Sequence, residues 1–385
     1  MSVERFDVAI IGAGPAGSSA AILLARSGYS VVLFDKALFP REKLCGDFLN
    51  PINWSLFKRL GMVDELLSVE REEITSFHIS NFSGEEATIP FPSQNGEPLS
   101  GLGLRRFYLD DLLLRLAAKE GTTIRQGSRI AALRREKDGW SITLGSHSTE
   151  ERFHSTLLIG ADGRNSWVAH RLGLARPSKK PSRFLAFQLH LRGVRRLNGD
   201  VQIHLFPGGY AGLVGLGGGV ANLCFTVERE RIGKGVPIYG LFESCLCENS
   251  HLGESLSGAE IVGKVRSAYP IFFSPRRFYG DGFLLVGDAA RVTEPVTGEG
   301  VYFALKSGIL AAEAMDLAFR ERMGSADQFT RYGRLCQQAF SSRQRINRII
   351  RALIYRPSLL SPLIRLSAKT SFPLRPLVDW LCRAG

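Results

Sequence analysis

The chain has 385 residues, 44% of them apolar, with 49 Lys and Arg against 37 Asp and Glu and a formal charge of +12. Its length admits two domains, or one large domain with an inserted lobe, and its balanced composition is that of an ordinary globular protein. No run of eighteen apolar residues occurs, which excludes a membrane-spanning helix.

The six cysteines (Cys45, Cys224, Cys245, Cys247, Cys336 and Cys382) include no C-x-x-C pair. Cys245 and Cys247, two apart, do not have a zinc spacing, so reduced and mostly buried thiols are expected. The uncharged stretch Ala9 to Ala25 has the apolarity of a signal-peptide core. However, Glu4 and Asp7 precede it instead of a basic region, and it carries a glycine fingerprint. A cytoplasmic protein is expected.

That fingerprint organises the amino-terminal third. Phe6 to Ile11 is an apolar strand, followed at once by Gly12-Ala13-Gly14-Pro15-Ala16-Gly17. A small-residue helix then runs to about Ser27, and Val31 to Phe34 forms a second strand ending on Asp35. Strand, G-x-G-x-x-G, helix, strand and acid is the order a dinucleotide site requires. Gly12 permits the tight turn, Gly14 lets backbone N–H groups approach a diphosphate, and Gly17 lets helix and strand pack closely. Asp35, 23 residues beyond Gly12, is placed to accept from an adenosine ribose.

Lys36 to Asp47 is a polar loop containing Cys45, and a helix is expected from Pro51 to about Leu60. Ile74 to Pro92 alternates and should be β-rich. Arg105 opens an amphipathic helix ending near Gly121, and Thr123 to Arg125, Ile130 to Leu133 and Trp140 to Leu144 read as a small meander. Ser155 to Ile159 is a buried strand that breaks into Gly160-Ala161-Asp162-Gly163. The acid in that turn has two readings, a contact to a sugar hydroxyl or a loop support.

Residues 183–268 form the most β-rich block, alternating as a sheet does when one face is solvated or lined by ligand. Its cluster Gly215-Leu216-Gly217-Gly218-Gly219 leads into a strand, so it is a hairpin turn and not a second dinucleotide fingerprint. A nicotinamide donor therefore has no Rossmann half of its own. Gly282 to Val286 is a further strand, breaking on Gly287-Asp288. A proline loop follows, then a long helix from about Gly300 to Phe319, whose N-terminus offers N–H groups to an anionic ligand.

The charge is concentrated at the end. Residues 328–385 hold eleven Lys and Arg and one acid, Asp379. Ile346, Ile349, Ile350, Leu353 and Ile354 share one helical face, with Arg345, Arg348 and Arg351 opposite. That pattern fits a helix on anionic lipid and equally a helix docked on the protein's own core. The tail is cut by Pro357, Pro362, Pro373 and Pro376, and a nucleic-acid reading would rest on its charge alone, so no nucleic-acid partner is expected.

Taken in order, these motifs resemble the FAD-dependent fold shared by aromatic-ring hydroxylases and geranylgeranyl reductases. They are GAGPAG with its acid, an Arg-x-x-Leu-Asp segment (Arg106 to Asp110), GADG, and GDAA followed by P-x-x-G-E-G. The resemblance, from Asp7 to about Ala318, implies an α/β protein. Its FAD-binding Rossmann-like domain, of para-hydroxybenzoate-hydroxylase type, carries an inserted β-rich substrate domain and a C-terminal helical tail. In this division the FAD-binding domain comprises 1–73, 101–175 and 271–325, the substrate domain 74–100 and 176–270, and the basic tail 326–385.

By the same resemblance, Gly12, Gly14, Pro15, Ala16, Gly17, Asp35 and Lys36 hold the ADP half of FAD. Arg106 reaches the diphosphate side, Asp162 and Gly163 lie beneath the cofactor's middle, and Asp288 binds the ribitol chain. Pro295 lies near the flavin ring, with backbone N–H groups at Gly298, Glu299 and Gly300 facing its N1–C2=O edge. Lys43-Leu44-Cys45-Gly46-Asp47 and Thr297-Gly298-Glu299-Gly300 are most similar to the geranylgeranyl-reductase branch, which makes Cys45 a catalytic candidate beside the flavin. The chain departs from that branch in its substrate sheet. Where the branch carries Tyr-x-Trp-x-Phe-Pro, this sequence reads Tyr210-Ala211-Gly212-Leu213-Val214-Gly215, leaving Tyr210 as the candidate substrate contact.

The expected activity is NAD(P)H-dependent reduction of a carbon–carbon double bond in a hydrophobic, lipid- or isoprenoid-like small molecule. Monooxygenation of an aromatic or polyketide-like small molecule is the alternative. Peripheral contact of the tail with anionic membrane is the expected further partner.

Overall fold

The computed structural model describes residues 3–383 apart from 146–150, 176–182, 233–239, 241–247, 270, 272–275, 292–294, 322–323 and 371. Cys245 and Cys247 fall outside the described residues.

Five strands pair in parallel in the order Thr123–Arg125, Val31–Phe34, Glu4–Ile11, Glu151–Gly160 and Phe283–Leu285. Val8, Ile10, Leu33 and Ile159 face the helices Pro15–Arg26, Arg106–Lys119 and Gly300–Arg320. Ala9, Ile11, Val32 and Phe34 face Trp140, Ile142 and Phe153 on the other side. Burial on both faces is why Val8–Ile11, Val31–Phe34 and Phe283–Leu285 read as unbroken apolar runs.

The meander differs from expectation. Its strands are Ile130–Glu136, Gly139–Leu144 and Glu151–Gly160, paired antiparallel. Thr123–Arg125 instead forms the parallel edge beside Val31–Phe34. It follows the helix Arg106–Lys119, and a strand returning from a crossover helix joins the sheet in parallel.

A second, seven-stranded sheet has the order Glu260–Ala268, Phe184–Arg192, Val220–Glu228, Gly209–Gly215, Asp200–Phe206, Ser76–Ser80 and Glu86–Pro90. The pairing of Asp200–Phe206 with Ser76–Ser80 is parallel and joins two segments far apart in the chain. Strand alternation sorts the side chains. Leu189, Leu223 and Phe225 pack outward under the helix Ser250–Leu256, while Ile79, Ile203, Tyr210 and Val214 point inward.

Three helices close the chain, Ala326–Ile354, Pro357–Thr370 and Arg375–Cys382. The first opens on a capping box of Ser325 and Gln328. Pro362 does not cut the tail as expected but sits inside the second helix, one turn from its start. So placed, it forfeits a single i to i−4 bond near the end, where the loss is smallest. Ile354, Leu360, Ile364, Leu374 and Val378 pack together with the inward face of the second sheet. The tail is thus a wall of the molecule. Among the described residues, no helix is long and apolar enough to cross a membrane.

Candidate active site

A cavity of about 680 Å³ runs from the Gly12–Gly17 turn, past the ends of the parallel strands, to the inward face of the second sheet and the C-terminal helices. Its two ends differ chemically: the first is charged, the second apolar.

At the charged end the turn is held by Asp35, which accepts from the N–H groups of Ala13 (2.8 Å) and Ala37 (2.9 Å). Gly12 has φ +109°, and a Cβ there would lie 2.3 Å from the carbonyl oxygen of Ala161, so only glycine fits. Gly17 packs on Gly12, whereas Gly14, Pro15, Ala16 and Lys36 line the cavity. The atoms nearest to a Cβ at Gly14 are Nη2 of Arg41 and Nη2 of Arg106, at 3.9 and 4.0 Å. Both guanidinia are aimed by one carboxylate. Asp110, fully buried, accepts from Arg106 through Nε (2.6 Å) and Nη2 (2.8 Å) and from Arg41 Nη1 (3.0 Å). The i, i+4 spacing of Arg106 and Asp110 on one helix makes the first pair local.

In the middle, Asp162 both lines the cavity and supports its loop. It accepts from Ser166 Oγ (2.5 Å) and from the N–H of Val168 (3.0 Å), and burial pushes its carboxyl above the usual range. Gly163 faces the cavity close to Lys43, whose ammonium is lowered by burial and by repulsion from Arg106 and Arg41. Asp288 projects from the turn Gly287–Ala289. Burial raises its carboxyl, and Arg164, Lys43 and Arg106 oppose that shift. Pro295 opens the turn Pro295–Thr297, while Gly298, Gly300 and Val301 bring the N-terminus of the helix Gly300–Arg320 to the cavity wall. A Cβ at Gly300 would meet no atom within 4 Å, so that face is open. The side chain of Glu299, whose backbone N–H is the expected cofactor contact, is fully buried and pairs with Arg343 of the tail.

Cys45 lines the cavity between its charged and apolar parts. Burial, and then the carboxylate of Asp47, raise its thiol above the ordinary 9.0, while Arg106 pulls the other way. Asp47 itself sits at φ +52°, 1% exposed, in a conformation that few non-glycine residues adopt. Its Oδ1 accepts from the N–H of Arg106 (3.2 Å), and its Oδ2 accepts from Gln188 Nε2 (3.0 Å) and His190 Nε2 (2.9 Å). Gln188 also donates to Asn222 (2.9 Å), whose Nδ2 donates to the carbonyl of Cys45 (3.3 Å). The cysteine loop is therefore pinned to the second sheet at two points.

The apolar end is lined by Ile79, Ile203, Tyr210, Gly212, Val214 and Leu374, among others. Tyr210 lies 6.0 Å, centroid to centroid, from Tyr355, which stacks on Phe184 at 3.9 Å. Besides Tyr210, the cavity's aromatic lining comes from Phe48, Phe77 and Phe91, while the strand motif offers Gly212 and Val214.

Sequence reasoning missed Arg41, Lys43, Asp47, Asp110, Gln188 and His190. The density of charges from Lys36 to Asp47 was the available signal for the first three. An acid four residues from Arg106 was the signal for Asp110. Nothing local marks Gln188 and His190, which meet Asp47 across 141 and 143 residues.

These residues fit a dinucleotide flavin. Gly14 presents open backbone beside two guanidinia, as a diphosphate requires, and the open N-terminus at Gly298 to Val301 suits the electron-rich edge of a ring. A family profile described as FAD binding domain matches residues 5–207. The chain is 30% identical over 328 residues to menaquinone reductase from Mycolicibacterium smegmatis, covering 81% of this chain and 76% of that protein. It is 29% identical to digeranylgeranylglycerophospholipid reductase 2 from Methanococcoides burtonii, covering 86% and 79%. Its fold is similar to that of a flavoprotein/dehydrogenase from Cytophaga hutchinsonii (TM-score 0.86, 20% identity, 98% and 93% covered). It is also similar to a halogenase in complex with FAD (TM-score 0.78, 19% identity, 97% and 85% covered). With the fingerprint turn, the paired guanidinia and the helix N-terminus facing one cavity, the chain belongs to the FAD-dependent oxidoreductase superfamily that includes the geranylgeranyl reductases and aromatic-ring hydroxylases.

Proposed function

We propose that the chain is a reductase that saturates a carbon–carbon double bond in a hydrophobic, isoprenoid-bearing lipid, with NAD(P)H as electron donor. The observation that carries this reading is Cys45, a thiol held protonated where the charged part of the cavity gives way to the apolar part. The names of the two relatives, one a quinone reductase and the other a geranylgeranyl-phospholipid reductase, support a lipid substrate.

Saturating an alkene adds a hydride to one carbon and a proton to the other. FAD, when bound and reduced, supplies the hydride. The chain's residues supply the rest. Ile79, Ile203, Val214 and Leu374 bind the apolar chain and exclude water. Burial, and then Asp47 fixed by Gln188 and His190, keep the proton on Sγ of Cys45 until an acceptor carbon arrives. When the thiol gives up that proton, Arg106 stabilises the charge left on sulfur.

Turnover with NAD(P)H under strict exclusion of oxygen, against a panel of polyprenyl alkenes and lipophilic quinones, tests the proposal. A product two hydrogens heavier than the substrate is expected. A product formed only with oxygen, and one oxygen atom heavier, would establish the hydroxylase alternative instead.

A further inference from the structure

We infer that the outward face of the helix Pro357–Thr370, continued by Phe372, is a docking surface for an anionic lipid bilayer. This helix is apolar on two sides. Leu360, Ile364 and Ser367 are buried against the protein, as one stripe of a surface helix should be. The apolar surface runs past that stripe: about 100° round the helix stand Leu359 (52% exposed), Leu363 (38%) and Leu366 (50%), and Phe372 beyond the helix is 76% exposed. Three leucines on one exposed stripe, with Phe372 two residues beyond the helix, are more apolar surface than a solvated helix carries without a partner.

The surrounding charge identifies that partner. Arg356, Arg365 and Lys369 are exposed beside the stripe, and no acid occurs between Asp327 and Asp379. Apolar side chains flanked by long basic ones suit a bilayer interface, where leucines enter the acyl boundary and Lys and Arg reach anionic headgroups. A two-fold contact with a second copy would instead set these like charges against each other. The location agrees, since Leu363 lines the cavity as well as the surface, so the apolar end of the active site lies directly beneath the patch. The sequence pattern pointed to the stripe Ile346–Ile354 instead. In the structure Ile350, Leu353 and Ile354 turn into the cavity wall, and Ile349 alone of that stripe is strongly exposed, at 59%.

The test is flotation of the flavin-loaded protein with vesicles of phosphatidylcholine, alone or mixed with phosphatidylglycerol. The wild type should bind the mixed vesicles, less tightly as salt rises. Leu359→Gln/Leu366→Gln/Phe372→Ser should weaken binding by at least about tenfold. Arg356→Gln/Arg365→Gln/Lys369→Gln should remove the preference for phosphatidylglycerol. Both variants should keep their flavin spectrum and their mass by light scattering. Undiminished binding by the apolar variant, or no binding by the wild type, overturns the proposal. So does a wild-type dimer that the apolar substitutions dissociate without lipid. Binding is read without turnover, so it is independent of the reductase reading.

Discussion

Arg343 and Glu299 form an ion pair that solvent does not reach, with side chains 4% and 0% exposed. Glu299 stands between two glycines of the turn that lines the cavity. Arg343 lies on the long tail helix, with its guanidinium 4.6 Å from the ring centroid of Trp380 and 5.3 Å from that of Tyr302, and it also donates to the carbonyl of Arg383. The pair therefore ties the candidate flavin-facing turn to the first tail helix, and through Arg343 to Trp380 and Arg383 at the end of the chain.

Breaking a buried pair leaves the remaining charge uncompensated, at a cost of about 3–5 kcal/mol. Glu299→Gln and Arg343→Met should each lower the melting temperature sharply. The double variant should lose much less than the two combined, because neither charge is then stranded. Thermal unfolding in a double-mutant cycle measures this. Strict additivity would show that the two residues act separately.

A second prediction concerns Arg41, which Asp110, with Asp35 at 3.7 Å, holds toward the Gly14 turn. Arg41→Met keeps the apolar stem and leaves Asp110 paired with Arg106. It should remove one charge-assisted contact to the cofactor diphosphate, weakening FAD binding by about 1.5–3 kcal/mol, roughly ten- to a hundredfold. Flavin-fluorescence titration of the deflavinated protein gives the constant. An unchanged value would place the diphosphate elsewhere.

How much of this was visible beforehand depends on the range of each interaction. Gly12, Gly14, Gly17 and Asp35 are local: one turn and its flanking strands contain their whole argument, so the nucleotide half of the fold was readable residue by residue. Asp47 was not, because its meaning lies in Gln188 and His190 on another sheet. Thr123–Arg125 is too short to show a period, and its preceding helix decided its place. The tail's amphipathic pattern revealed a helix with a face to bury. A stripe of isoleucines does not state what it meets, and the structure turns most of it toward the cavity. The glycine loop gives Glu299 a backbone role in the sequence, whereas its side chain, paired with Arg343 forty-four residues on, carries no local mark.

Gly212 supports a third prediction. The atoms nearest to a Cβ there would be Cys224 O and Ile203 Cδ1, both at 3.6 Å, and Gln202 O at 3.9 Å, all ordinary contact distances. A larger side chain would therefore point into the cavity without forcing the backbone. On the lipid-reductase reading, Gly212→Leu should reduce kcat/KM for long-chain substrates by about 10- to 200-fold while sparing short ones. A chain-length series measures it. An equal loss for every length would mean that the substitution disturbs the sheet and not the chain-binding end.

The last prediction tests Cys45 by pH as well as by substitution. Burial and Asp47 raise its thiol above 9.0, so the acid form prevails through the neutral range. If that form donates the proton, kcat should stay level through neutrality and fall only in the alkaline range, above the ordinary thiol value. Cys45→Ala should lose this alkaline limb and turn over about 10²–10⁴-fold more slowly, with flavin reduction by NAD(P)H unchanged. Stability supplies an independent sign. Below 9.0 the thiol is protonated whether the chain is folded or unfolded; as pH rises further, the unfolded thiol ionises first, so stability is lost there. Denaturant unfolding should show this alkaline loss in the wild type, and a smaller one in Cys45→Ala. A purely structural thiol would give the stability difference without the kinetic one, and that result would remove Cys45 from the chemistry.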